Sequence, residues 1–399
     1  MVPSQRKNRY LFIVVSFLLW FPNFLYVPIL SPYIDFLGGS YTFAGIILSS
    51  YGITQLLFRL PIGIFSDLVK KRKPFIVMGM LASALSCILF LMSEILWFML
   101  LARALAGIAA ATWVVFTVLF PTYYEEDKVH KAMSHITFIV VLGQLLGMSF
   151  SGIVVDEFGW KAPFILGVIF SIVGLFLSLF VHEQKGLVDK KPITFNELIF
   201  VVKDPLLLKT SFLSIVAHSM IFVTMFGFTS SYALEIGFQE KELTWIVIVF
   251  MIPHAFATLY MGSHIVPRLG EWNSLKLAFL TSSIFAIVIP LFQTKFAFLI
   301  IQGCFGFSLG LIFPLLLGMS IQNIEIEKRA TAMGAYQALY AIGIFAGPFF
   351  AGILNSLLGL ESGFYFVGIL GIFALTFIFI WSRKQVMVVE NNQFEEKVE

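Results

Sequence analysis

Arg59 and Arg103 lie inside stretches of this 399-residue sequence that are otherwise almost wholly apolar, and so do His218 and His254. A guanidinium there is expensive and must face protein or water, which makes it a candidate for solute binding or ion coupling. For Arg103 the alternative is a structural ion pair. Arg59 lies close to a basic loop and could reach it by snorkelling. Imidazole changes charge near neutral pH, so either histidine could be a proton site or a plain hydrogen-bonding contact between helices. Carboxylates are missing from the set: the 23 acidic residues fall in loops or at the ends of apolar stretches, Asp35 and Glu94 among them.

Other side chains in the same stretches could line a cavity: Trp20, Asn23, Tyr26, Gln55, Trp113, Gln144, Gln302, Tyr336, Gln337 and Tyr340. Aromatic walls with amide, hydroxyl and cationic partners suit a bulky, partly apolar solute, anions included. No phosphate loop, metal-ligand cluster or nucleophile–base spacing accompanies them. Cys87 and Cys304 are far apart in apolar runs, with no disulfide or zinc spacing, and read as small hydrophobes. Catalysis, a cofactor, a bound metal and a nucleic-acid partner are therefore not expected. The expected partners are a small-molecule solute, protons and the lipid bilayer, with the chain a monomer.

The elements that position these residues follow from composition. The chain is 59% hydrophobic and 12% charged, against about 25% charged in soluble domains, with a mean hydropathy of +0.93. Unpaired backbone groups are not tolerated in hydrocarbon, so a span is a helix of roughly 20 apolar residues. Twelve such runs occur, at 11–33, 43–66, 74–93, 95–121, 133–155 and 163–181, then 211–234, 243–266, 274–292, 296–321, 330–355 and 362–382. The first is long, lacks a small-residue cleavage site and reads as a span, not a removable signal. With the N-terminus inside, 21 of the 26 Lys and Arg fall on the inner side, and only Lys161, Lys241 and Lys295 outside. The positive-inside rule thus places both termini in the cytoplasm of a cell membrane.

The halves repeat in register. Gly143, Gly147 and Gly152 of the fifth span match Gly343, Gly347 and Gly352 of the eleventh, each 200 residues on, and Ala132-Met133 matches Ala332-Met333. Two six-helix repeats with a solute site between them near mid-membrane are one way to build a transporter. Recurrent small residues also let membrane helices pack closely. The expected fold is all-α, twelve transmembrane helices in two pseudo-symmetric six-helix bundles. The first bundle covers 1–181, a cytoplasmic linker 182–210, the second bundle 211–384 and a cytoplasmic tail 385–399.

Between the second and third spans runs Gly63-Ile-Phe-Ser-Asp67-Leu-Val-Lys70-Lys71-Arg72-Lys73. Here the chain resembles the major facilitator superfamily, whose loop reads Gly-x-x-x-Asp-Arg-x-Gly-Arg-Arg/Lys. Gly63, Asp67, Lys71 and Arg72 match; Leu68 replaces Arg and Lys70 replaces the second Gly. The resemblance implies a gating latch. Independently, Asp67 ends the second span where the eleventh begins, and a carboxylate beside a helix N-terminus gains about 0.3–2 kcal/mol. A degenerate copy, Gly262 to Gly270, has Val266 in place of the acid. Arg103, four residues before Gly107, resembles the family's fourth-helix pattern.

The glycines of the fifth span resemble the family's mark of proton-driven exporters, with Met148 for Pro and Ser151 for Gly; the eleventh, with Pro348, is nearer that pattern. In this family the first, fourth, seventh and tenth helices line the cavity. The chain is most similar to the twelve-span drug:proton antiporters, which implies proton-coupled efflux of small organic or amphipathic molecules by alternating access. An uptake permease for a nutrient such as an organic anion or sugar shares the fold. A receptor that has lost transport would need a larger polar segment than His182 to Lys209.

Overall fold

A chain in hydrocarbon can satisfy its own backbone only by closing helices or a barrel, and among the described residues this chain does so with helices alone. The computed structural model describes residues 3–92, 94–125, 129–183, 201–325 and 328–398. Its apolar helices are α1 (Arg6–Phe36), α2 (Tyr41–Leu68), α3 (Lys73–Met92), α4 (Leu96–Tyr123), α5 (Ala132–Phe158) and the shorter α6 (Ala162–Ser178). Then come α7 (Pro205–Glu235), α8 (Glu240–Tyr260), α9 (Glu271–Leu291), α10 (Lys295–Ser320), α11 (Thr331–Leu358) and α12 (Glu361–Arg383).

Helix α7 starts six residues before the expected 211. Asp204 accepts a 2.8 Å hydrogen bond from the Leu207 amide and Pro205 takes the first helical position, an N-cap that outweighs the hydropathy lost to Lys209. The last helix runs on to Val398 through the expected tail. Most of the linker, 184–200, lies outside the described residues.

Among the described residues four helices are interrupted within the ranges given: α1 at Tyr26 between Pro22 and Pro28, α4 at Thr112, α10 at Leu311, and α7 by the π-helical turn Thr224–Phe228; a second π-helical turn, Met261–Ile265, follows the end of α8. The interrupted four are those that the family resemblance assigns to the cavity. Broken backbone at membrane depth is tolerated where protein or a cavity surrounds it.

Packing repeats with the sequence. α1 lies on α5 and α6 as α7 lies on α11 and α12; α3 bridges α4 and α6 as α9 bridges α10 and α12. Between the halves, α2 meets α11 and α5 meets α8. The glycine runs explain these seams. A Cβ on Gly147 would stand 2.6 Å from the Phe21 carbonyl of α1, and one on Gly347 2.8 Å from Ser219 Cα of α7. Gly143 and Gly343 press on the same two helices, at Trp20 and Ile215. The third glycine of each run faces the other half: a Cβ on Gly152 would run into the Glu240 carbonyl, and one on Gly352 would stand 2.6 Å from the Tyr41 carbonyl and 2.8 Å from Gly45 Cα.

Candidate functional site

Tyr51, Gln55 and Arg59 recur every four residues and so share one face of α2. Arg59 is 3% exposed, which corrects the snorkelling expectation. Its Nη2 donates to Gln55 Oε1 at 2.8 Å and to the Ala110 carbonyl of α4 at 3.3 Å, while Nη1 donates to the Tyr340 hydroxyl at 3.1 Å. The last bond crosses from one half to the other. Partners at that depth hold the guanidinium inside, and Nε remains without one.

Across the junction the Tyr340 ring stacks on His218, centroids 3.9 Å apart and planes 3° from parallel. His218 Nδ1 lies 2.8 Å from the Ser214 carbonyl, and the Tyr336 hydroxyl donates to Ser214 Oγ at 2.8 Å. Phe313 of α10 meets the His218 ring edge-on at 4.9 Å and lies 5.7 Å from His254. His254 itself leans on Phe250 and places Nδ1 3.2 Å from the Gly306 carbonyl. One histidine belongs to the polar bridge between halves; the other has its partners within the second half.

Arg103 is 1% exposed, and its guanidinium carbon stands 4.2 Å from the Tyr51 ring centroid and 5.7 Å from that of Tyr26. Nε and Nη1 have no hydrogen-bond partner. The structural ion pair does not form: among the described residues no carboxylate pairs with Arg103 or Arg59.

The remaining candidates divide. Trp20 and Trp113 meet edge-on at 5.4 Å, with Trp20 Nε1 unpartnered. Asn23 donates to Ser83 at 3.0 Å, and Ser83 joins Ser171 at 3.1 Å. Tyr26 lies 3.4 Å from Ser86 and packs on Phe90 and Phe164. Both therefore serve the interior of the first half, since a buried amide or phenol needs the nearest partner. Gln302 is fully buried with neither amide atom bonded. Gln144 and Gln337 are half-buried. Tyr51, Ser214 and Phe313 are absent from the sequence-based set; the four-residue spacings Tyr51–Gln55–Arg59 and Ser214–His218 are the signal that finds the first two.

The far side, opposite the termini, is sealed across the halves. Ser231 Oγ donates to Ser31 Oγ at 2.8 Å, the Thr42 amide to Ser356 Oγ at 2.7 Å, and Thr244 to the Ser149 carbonyl at 2.7 Å. Phe24–Phe226, Tyr41–Phe228 and Tyr51–Phe222 ring contacts fill the gaps. On the terminus side Asp67 departs from expectation. Its carboxylate is bonded by Arg72, which also bonds Ser66, and among the described residues nothing links it to α11. Glu183 caps α3 through the Arg72 and Lys73 amides at 2.5 and 3.2 Å. The loop is thus tied within its own half, with Lys71 exposed and Gly63 facing Val114 of α4.

Two sets of helices long and apolar enough to cross a membrane meet at a polar and aromatic junction, and the comparisons identify them as the halves of a multi-pass transporter. The chain belongs to the Major Facilitator Superfamily, whose sequence profile matches residues 12–344 and 232–398. It is similar to the inner membrane transport protein YajR of Escherichia coli (strain K12), 25% identical over 370 residues, 90% of this chain and 79% of that one. Multidrug resistance protein 2 of Bacillus subtilis (strain 168) is 23% identical over 381 residues, covering 90% and 92%. A bacterial homolog of the human lysosomal transporter Spinster, solved inward-facing and unoccupied, superimposes with a TM-score of 0.80 at 14% identity, over 96% of this chain and 98% of that one. That last likeness concerns the fold.

Proposed function

We propose that this transporter exports small organic molecules in exchange for protons, by alternating access about the junction of its halves, as a monomer in a cell membrane with both termini cytoplasmic. The carrying observation is the polar bridge Arg59–Tyr340–His218, which crosses the halves beneath a far side already closed by Ser31–Ser231. Solute then enters from the terminus side, which the Lys and Arg asymmetry assigns to the cytoplasm. That is the loading state an exporter needs. The name of the Bacillus subtilis relative, a multidrug resistance protein, supports the direction.

His218 is the proton site in this reading. The carbonyl of Ser214 engages Nδ1 as a donor, so Nε2 is left to take and release the proton. The loop Gly63, Asp67, Lys71 and Arg72 is the latch: when the far side opens, Asp67 leaves Arg72 for the N-terminus of α11, where the helix dipole favours a carboxylate. The bundles, 1–181 and 211–384, rock about the α2–α11 and α5–α8 seams.

Inverted membrane vesicles test this directly. An interior-acid gradient is expected to drive accumulation of an organic dye, and His218→Ala to remove the dependence on the gradient. Accumulation indifferent to the gradient would end the antiport reading.

A further inference from the structure

We infer that the solute this site selects is an organic anion, with its acid group on Arg59 and its apolar body along Tyr340 and Phe313. The inference rests on the transport reading above and names the substrate class of the same site.

Two guanidinium groups lie at the centre of the molecule, 3% and 1% exposed, and among the described residues no carboxylate reaches either. A buried cation is ordinarily matched by a counter-ion, because desolvation is repaid only by an opposite charge and full hydrogen bonding. Both remain incomplete: Arg59 keeps Nε free, Arg103 keeps Nε and Nη1 free. The partners that Arg59 does have are neutral oxygens of Tyr340, Gln55 and Ala110. A carboxylate or sulfonate can displace them, since charge-assisted bonds to a guanidinium are about twice as strong as neutral ones.

Position separates the two arginines. Tyr51, which carries Arg103, and Arg59 are eight residues apart on α2, about 12 Å along the helix. Arg103 is enclosed by Tyr51 and Tyr26. Arg59 instead bonds Tyr340, whose ring stacks on His218, which in turn meets Phe313; all three are partly exposed, so the acid group reaches Arg59 first. Arg103 contributes a second positive charge in a low-dielectric setting, which repels organic cations. The flat faces of Tyr340 and Phe313 are the surface an aromatic or acyl body would cover.

The test uses the purified full-length protein and three matched probes: 1-naphthoate, the neutral 1-naphthylmethanol and the cationic 1-naphthylmethylammonium. Naphthoate is expected to raise the melting temperature and to bind at least about tenfold more tightly than the neutral probe, with the ammonium weakest. Arg59→Gln should erase the difference between naphthoate and naphthylmethanol. Tyr340→Phe, which removes one competing neutral acceptor, should bind naphthoate at least as tightly as the parent and keeps the test open should Arg59→Gln misfold. Equal binding of the three probes, preference for the ammonium, or no naphthoate-dependent shift up to its solubility limit would overturn the inference. No gradient is imposed, so a failure of proton-driven export leaves this result standing. Gradient-driven export of a cationic dye without anion binding would remove the inference alone.

Discussion

Ser31 and Ser231 share a 2.8 Å hydrogen bond and stand 200 residues apart, the offset at which the glycines of α5 and α11 repeat. Equivalent positions of the two repeats thus touch each other, which places the pseudo-two-fold axis between their hydroxyls. A contact on that axis must separate when the halves rock apart on the far side. The double variant Ser31→Cys, Ser231→Cys puts two thiols where a disulfide needs Cβ atoms about 3.5–4.5 Å apart. Oxidation should abolish transport and a reductant should restore it, with neither treatment affecting the single variants. Full transport in the oxidised, verified cross-linked protein would mean that this contact never opens.

Lys70 carries φ +52°, the left-handed region, and among the described residues is alone in this apart from glycines. It stands where the family loop has its second Gly, so the departure from the pattern retains the backbone turn without the residue suited to it. An L side chain pays about 1–2 kcal/mol there. Lys70→Gly is expected to raise stability by about 1 kcal/mol, read as an increase in melting temperature, while Lys71→Gly, which lacks that relief, should not.

The paired glycines make a graded prediction. A Cβ on Gly347 would lie 2.8 Å from Ser219 Cα, against backbone that cannot yield without separating α11 from α7, whereas one on Gly318 meets nothing within 4 Å. Gly347→Ala should cost about 1–3 kcal/mol and Gly318→Ala should leave the melting temperature unchanged or higher. Differential scanning fluorimetry on both, in one detergent, decides it.

Much of this architecture is legible in the sequence because the bilayer allows so little else. Spans must be apolar and near 20 residues long, so α2 through α6 and α9 through α12 appear within a few residues of their expected limits, while α8 gives way at Tyr260 to a π-helical turn, six residues before the expected 266. The duplication is legible because close helix approach demands glycine at the same places in both halves. Facing is harder to read. Asn23 and Tyr26 look like cavity residues by type, yet each turns into the first half, where Ser83 and Ser86 satisfy it. Arg59 looks like a residue near the surface because depth along one helix says nothing of the Tyr340 hydroxyl on another. Asp67 is partnered by Arg72, five residues on, because a flexible basic side chain in the same loop reaches the carboxylate, and the loop's family pattern does not say which partner it takes.

Arg103 offers the sharpest separation of stability from function. Its guanidinium lies over Tyr51 at 4.2 Å, a contact worth about 2 kcal/mol or more when desolvated, but two of its nitrogens are buried without partners. Replacing an unmatched buried charge with an apolar side chain of similar length is often neutral or stabilising. Arg103→Met should therefore insert normally and melt at the same temperature or higher, yet lose transport. Arg103→Lys keeps the charge but not the flat fork that covers the ring, so it should lose most of the flux as well. Flux in vesicles, compared at equal membrane content, decides between the two roles. If Arg103→Met transports undiminished, the charge serves packing alone; if it melts well below the parent, the stacking on Tyr51 outweighs the desolvation cost.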